Sequence, residues 1–293
     1  MKALTGSITA LVTPFRDGAV DERAFQDLVE RQIAQGTHGL VPVGTTGESA
    51  TLTDAEHERV IRLCVEAAAG RVPVIAGAGS NDTAYAVSMA KRVEGFGADA
   101  VLAVTGYYNR PSQPGLIAHF TALNDAVGLP IIVYNVPART ASDIAVETLG
   151  ALSKLARIVG VKDATGDLAR VALHRGACGA DFIQLSGEDM TAVGFNAMGG
   201  TGCISVSSNV APGLCAEMQE ATRDKDYDKA RALQDRLAPL HDALFSDTSP
   251  GPAKYALSLL GLCTDEVRLP LVGPCEASKQ QVRAALQALD LIG

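Results

Sequence analysis

At 293 residues and 47% hydrophobic content, the chain can hold one large domain, or a large domain with a small appendage, around an ample core. A net charge of −8 argues against nucleic acid as a partner and means that an anionic substrate would need local cationic groups. There is no apolar run of membrane-spanning length, and Met1-Lys2-Ala3-Leu4-Thr5-Gly6 has no signal-peptide pattern, so a cytoplasmic protein is expected.

Taken in order, Ile8–Val12 reads as the first strand, left by Thr13-Pro14-Phe15. Asp21 caps a helix striped by Phe25, Leu28, Val29 and Ile33. Gly39–Val43 is the second strand, followed by Gly44-Thr45-Thr46-Gly47-Glu48, and Thr53 with Glu56 forms a capping box for the next helix. Val72–Ala76 is the third strand, with a helix from Asn81 or Asp82 striped by Tyr85, Met89, Val93 and Phe96. Ala100–Val104 ends at Tyr107-Tyr108-Asn109-Arg110-Pro111 and precedes a helix from about Pro114 to Ala126. Ile131–Tyr134 ends at Asn135-Val136-Pro137-Ala138-Arg139-Thr140, and a helix spans Val146 to Leu155. Arg157–Lys162 is the sixth strand, with a helix over Leu168–Arg175. Phe182–Leu185 and Gly202–Val206 complete the set, with a short helix between them and another after Pro212.

Strand then helix, repeated about eight times, implies right-handed crossovers and a parallel sheet. Over about 220 residues this fits a (β/α)8 barrel better than an open doubly wound sheet. The dinucleotide fingerprint is missing after the first strand, which weakens the open-sheet alternative. After Asp226 the alternation stops, and three apolar stripes, around Leu237, Leu259 and Leu286, predict a small three-helix appendage. The expected division is a catalytic barrel over residues 1–225 and a helical domain over 226–293.

The six cysteines are scattered without a CxxC pair and read as small buried hydrophobes. The five histidines show no HxxxH or HExxH spacing, so no metal is expected.

In such barrels the chemistry sits at the C-terminal strand ends. Those ends carry Thr45, Thr46, Tyr107, Tyr108, Tyr134, Arg139, Lys162 and Gly187. Lys162 closes the β-branched run Ile158-Val159-Gly160-Val161, half out of a hydrophobic core. An ammonium there is costly unless paired or neutral, and a neutral amine attacks carbonyl carbons. The other reading is a lysine that snorkels to water or pairs with Asp163. Strand alternation opposes that pairing, because it points Asp163 to the opposite face. The remaining lysines, Lys254 among them, fall in helical or polar patterns or at the terminus.

Tyr134 and Lys162 cap consecutive strands, which lie about 4.8 Å apart. A phenol there can shuttle a proton to an amine or carbinolamine, though it could equally be an interfacial aromatic with a wet hydroxyl. Tyr107-Tyr108 could pack at a subunit contact. The Gly44–Glu48 loop lacks the lysine of a phosphate loop, but its N–H groups and hydroxyls suit a small carboxylate, or simply a polar turn. Gly199-Gly200-Thr201-Gly202 lies at the wrong end of the barrel for chemistry and reads as a packing turn, and Gly77-Ala78-Gly79-Ser80 is a weak signal alone. Arg139 could grip a carboxylate bidentately or be a surface arginine, with Arg110 a lesser candidate.

The segments GTTGESATL, YYNRPSQPGL, YNVPART, VGVKDATGD and LSGED, with RLPL near the C-terminus, resemble the dihydrodipicolinate synthase family. That family lies within the N-acetylneuraminate lyase superfamily of Schiff-base aldolases. The resemblance covers nearly the whole chain. It implies a lyase of lysine (diaminopimelate) biosynthesis that joins pyruvate to L-aspartate 4-semialdehyde, giving 4-hydroxy-tetrahydrodipicolinate. Lys162 would form the Schiff base, and no other cofactor is implied. Tyr134 would be the proton donor, linked through Thr45 to Tyr108 reaching in from a neighbouring subunit of a homotetramer, a dimer of tight dimers. Thr46 would bind the pyruvate carboxylate, Ile204 would contribute backbone, Gly187 would line the site, and Arg139 would hold the semialdehyde carboxylate. The enzyme rival is a pyruvate-dependent sugar-acid aldolase of N-acetylneuraminate or keto-deoxy type. Thr45 and Arg139 favour the synthase. A non-catalytic scaffold barrel would need none of Lys162, Tyr134, Thr45 and Tyr108.

The resemblance also implies an effector site for L-lysine at Ser49, Ala50, His57, Asn81, Tyr85 and Tyr107. Lysine-inhibited members carry a glutamate where this chain has Tyr85 and a histidine where it has Asp54. Weak or absent inhibition by L-lysine is therefore expected.

Overall fold

A computed structural model describes residues 2–293. Eight parallel strands alternate with helices: β1 (Gly6–Ala10), β2 (Gly39–Val41), β3 (Ile75–Gly77), β4 (Ala100–Val104), β5 (Ile131–Asn135), β6 (Ile158–Asp163), β7 (Ile183–Ser186) and β8 (Gly202–Ser205). They hydrogen-bond in the order β2-β1-β8-β7-β6-β5-β4-β3. The seam between β2 and β3 is closed by a parallel bridge from Leu40 to Val74. The expected (β/α)8 barrel is thus the observed one.

The helices following the first four strands are α1 (Glu22–Ala34), α2 (Asp54–Ala68), α3 (Thr83–Gly95) and α4 (Gln113–Ala126). Those after the next four are α5 (Val146–Leu152), α6 (Ala169–Cys178), α7 (Ala192–Ala197) and α8 (Pro212–Arg223). Asp21 and Asp82 accept from backbone N–H groups in the first turns of α1 and α3, and the Thr53/Glu56 capping box opens α2. Four small features escaped the periodicity: a hairpin, Phe15–Arg16 with Ala19–Val20, a helical turn, Pro137–Thr140, directly after β5, and two 3-10 turns, Ser49–Thr51 and Ser207–Asn209. Elements this short carry no period to read.

Period-2 alternation divides the strands between two cores. Ala100, Leu102, Ile132, Tyr134, Leu185 and Ile204 fill the barrel interior. Val101, Ala103, Ile131, Val133 and Val161 face the surrounding helices. Three further helices, α9 (Tyr227–Ala243), α10 (Gly251–Leu259) and α11 (Glu276–Ala288), end the chain. Their apolar residues, Leu237, Leu240, Tyr255 and Leu286, share one core with Val12, Cys203, Val206 and Met218 of the barrel. The appendage is therefore fused to the β8 side of the barrel, close to the strand tips. Among the described residues no helix is long and apolar enough to cross a membrane.

Candidate active site

The β5/β6 register pairs Tyr134 with Lys162 and Asn135 with Asp163. Tyr134 and Lys162 are each 7% exposed. The Lys162 ammonium lies 4.2 Å from the centroid of the Tyr134 ring, where the π face offers it partial electrostatic support. No ion-pair partner of Lys162 occurs among the described residues, so its amine stays available. Gly187 makes room for it. A Cβ there would stand 3.0 Å from Lys162 Cε and 2.6 Å from Ala164 Cβ. Ile204, on β8, is buried in the same interior.

The loop after β2 is tightly wound. Val43 has φ +49°, an unfavourable conformation for a β-branched residue. Gly47 N–H donates to Gly44 O and Glu48 N–H to Thr45 O, each at 3.1 Å. Thr46 is buried, while Thr45 is exposed in the single chain. Above the loop lies a cavity of about 510 Å3, lined by Thr45, Glu48, Tyr134 and Arg139 and closed partly by Ser249, Pro270 and Leu271 of the C-terminal region. Lys162 does not line this cavity itself; it stands behind Tyr134, which does. Arg139 sits on the Pro137–Thr140 turn, exposed and facing the same space.

Not all candidates converge. Tyr108 is 90% exposed, with φ +69°, and lies outside the cavity of its own chain, whereas Tyr107 lines it. Arg110 is exposed and is not on the cavity wall. Gly200 has the expected packing role, since a Cβ there would meet the Phe195 ring at 2.2 Å. A larger hollow of about 870 Å3 opens at the opposite barrel face, between Lys2, His38, Gly200 and Arg223. None of the strand-tip candidates lines it. Among the described residues no group of three or more His, Cys, Asp or Glu could hold a metal.

On the outer face of the same two strands lies a network that the motifs did not reveal. Asp163 is buried and stands 3.2 Å from Arg170 Nε. Its other oxygen accepts from Thr165 N–H and Oγ1, at 2.8 and 2.5 Å. Arg170 also pairs with Asp143 at 2.9 Å, and Asp143 accepts from Asn135 Nδ2 at 2.8 Å. His174 faces this group. Its imidazole is pushed below its ordinary value by burial, with Asp163 opposing. Asp163 is thus committed away from Lys162, as strand alternation indicates. Glu188, beyond Gly187, was also missed. Its carboxyl is held above the ordinary value, chiefly by burial and also by Asp189, against a bond from Met190 N–H and the nearby Lys162 charge.

The residues of the implied effector site gather on the cavity's other wall: Ser49, Ala50, His57, Tyr85 and Tyr107. Asn81 adjoins them, donating to Tyr107 O at 3.2 Å. Burial, then Arg92, push the His57 imidazole down to about 4, with Asp54 opposing. Asp54 accepts the Tyr85 hydroxyl and pairs with Arg92 at 3.1 Å, while Glu58 holds Arg92 at 2.9 Å. Tyr85 is 38% exposed rather than part of the helix core its stripe predicted, because its hydroxyl is drawn to Asp54. Lys254, placed among helical and polar lysines, is completely buried in α10 against Glu48. Its partner comes from a distant loop, and no local pattern announces it.

A model of the Dihydrodipicolinate synthetase family matches residues 3–289. The chain is 62% identical over 287 residues to the 4-hydroxy-tetrahydrodipicolinate synthase of Parvibaculum lavamentivorans, covering 98% of this chain and 99% of that one. Its structure is similar to that of a chloride-inhibited dihydrodipicolinate synthase from Acinetobacter baumannii complexed with pyruvate, with a TM-score of 0.97, 42% identity, and coverage of 99% and 100%. It is also similar to the dihydrodipicolinate synthase from Aquifex aeolicus, with a TM-score of 0.97, 40% identity, and coverage of 98% and 99%.

Proposed function

The chain belongs to the dihydrodipicolinate synthetase family, and on that premise we propose that it is a cytoplasmic lyase condensing pyruvate with L-aspartate 4-semialdehyde. The product is 4-hydroxy-tetrahydrodipicolinate, in lysine (diaminopimelate) biosynthesis. The in-register Tyr134–Lys162 pair carries the reading.

In this scheme the neutral Lys162 amine adds to C2 of pyruvate, and the carbinolamine loses water to give the imine. Tyr134 protonates the departing hydroxyl and later moves protons for the C–C bond-forming step. Loss of a C3 proton turns the imine into an enamine, whose C3 attacks the aldehyde carbon. The amine of the semialdehyde then adds to C2 and expels Lys162, closing the ring. Thr46, with the loop's backbone N–H groups, holds the pyruvate carboxylate, and Ile204 and Gly187 shape that pocket. Arg139 grips the carboxylate of the second substrate. Thr45 links the phenol to a relay completed by Tyr108. The exposure of Tyr108 supports a homotetramer, a dimer of dimers, in which this residue crosses the tight-dimer interface into the neighbouring site.

Substitution of Arg139 tests how the second substrate is held. Arg139→Ala should lower kcat/KM for L-aspartate 4-semialdehyde by about 10- to 100-fold, the worth of a charged hydrogen bond, and leave imine formation with pyruvate intact. Equal loss of both would remove the role given to Arg139. Inhibition by L-lysine is expected to be weak or absent. Asp54 and Tyr85 satisfy one another, and a ligand's ammonium lacks a carboxylate partner worth about 1–3 kcal/mol. An inhibition assay showing the response of strongly regulated members would overturn that reading.

A further inference from the structure

Glu48 closes the loop that carries Thr45 and Thr46. It is in the left-handed region, φ +55°, and its backbone is tied locally, its carbonyl accepting from Thr51 N–H at 3.0 Å. Its side chain leaves the cavity rim and meets Lys254 of α10. Nζ and Oε1 are 2.5 Å apart, and both side chains are 0% exposed. Lys254 also donates to the Glu266 carbonyl at 2.7 Å and lies 4.0 Å from the centroid of the Phe15 ring. The second Glu48 oxygen accepts the Arg268 backbone N–H at 3.0 Å. The pair therefore joins the rim loop to the C-terminal helices through two charges wholly removed from water.

Stability is a poor reason for such a pair. Desolvating both ions offsets most of their attraction, and apolar residues of similar volume often do as well or better. What a buried pair does supply is a fixed position for the backbone that bears it. Here that backbone ends the loop through which a carboxylate would be held.

We propose that Glu48 and Lys254 are positioning residues for the keto-acid substrate: their buried pair pins the Gly44–Glu48 loop to the C-terminal helices and so sets the placement of Thr46. This rests on the reading of Thr46 as the group that binds the pyruvate carboxylate.

Steady-state kinetics with pyruvate, together with thermal melting, on the intact Glu48→Gln, Lys254→Met and doubly substituted enzymes test it, with Thr46→Val as control. All three pair variants should raise the pyruvate KM about tenfold, the order of one weakened charged hydrogen bond, with kcat held within about threefold. The double variant should recover the melting temperature lost by Lys254→Met, because no charge is left buried alone, and yet keep the raised KM. Pairing that served only to hold the helices together would return KM and melting temperature to the parent values jointly, and that result would overturn the inference. If Lys254→Met does not fold, Glu48→Gln and the double variant decide alone. A raised KM in Thr46→Val with a parental KM in Glu48→Gln overturns the positioning role only. A parental KM in Thr46→Val overturns the carboxylate reading, and the inference with it.

Discussion

Two residue pairs one step apart on β5 and β6 are held in opposite ways. Tyr134 and Lys162 face the barrel interior, where the ammonium lies over the phenol's ring and has no ion-pair partner among the described residues. Asn135 and Asp163 face outward, where Asp163, Arg170, Asp143 and Asn135 bond in a chain. Both pairs are buried. The outer pair is engaged by its neighbours, through the Asp163–Arg170 ion pair and the bond from Asn135 to Asp143. The inner pair keeps its amine unpaired, which is useful for chemistry and unhelpful for stability. Reactivity and rigidity are thus set on the two faces of the same backbone, and the outer network holds the register on which the inner pair depends.

The largest expected effect follows from the inner face. Lys162→Met should lower turnover by about a thousandfold or more, because no other amine stands at a strand tip. Its denaturation midpoint should be no lower than the parent's, since a desolvated charge has been replaced by an apolar chain of similar length. A large drop in midpoint would break the contrast between the faces.

Asp163→Ala tests the outer face and should do the reverse. Breaking a buried ion pair by removing one partner costs about 3–5 kcal/mol, which urea denaturation measures. Activity should fall through the loosened strand tips, with the pyruvate KM close to the parent's. Unchanged stability would show that the Asp163–Arg170 contact holds nothing.

Acid should weaken the fold before any carboxylate pair is lost. Each of the five histidines is pushed downward chiefly by burial. Below the unfolded imidazole value of about 6.5 the unfolded chain binds protons that the native chain refuses, so stability falls as pH falls. The contribution of His57 is still being lost down to about 4. Between pH 7 and 5 this residue alone should remove on the order of 2 kcal/mol, and His57→Gln should flatten the slope accordingly. A slope of opposite sign would contradict the burial of these rings. The smallest effect is expected for Asp143→Asn, because the Asp143 carboxylate is half exposed and its pair with Arg170 should be worth less than about 1 kcal/mol.

The sequence already carried the parts of this arrangement that are periodic or unusual. Repeating strand and helix patterns indicated the barrel, a lysine after a β-branched run indicated a strand tip, and alternation indicated that Asp163 faces away from Lys162. What could not be read depends on meetings between distant segments. Arg170 lies in the first turn of α6 and Asp143 in the loop between β5 and α5, and Lys254 reaches Glu48 across the interface with the appendage. Lys254 sits alone as a charge in the apolar stretch Gly251–Leu259, and only the tertiary fold supplies Glu48 as its partner. Tyr85 fitted an apolar stripe, yet a hydrogen bond to Asp54 holds it at the cavity wall.

In the proposed reaction Lys162 is the amine that condenses with a keto acid. Incubating the intact protein with pyruvate, reducing with borohydride and mapping the modified peptide by mass spectrometry tests it directly. One reduced pyruvyl group per chain, on Lys162, is the predicted result. An unmodified chain, or an adduct on a different lysine, would contradict it.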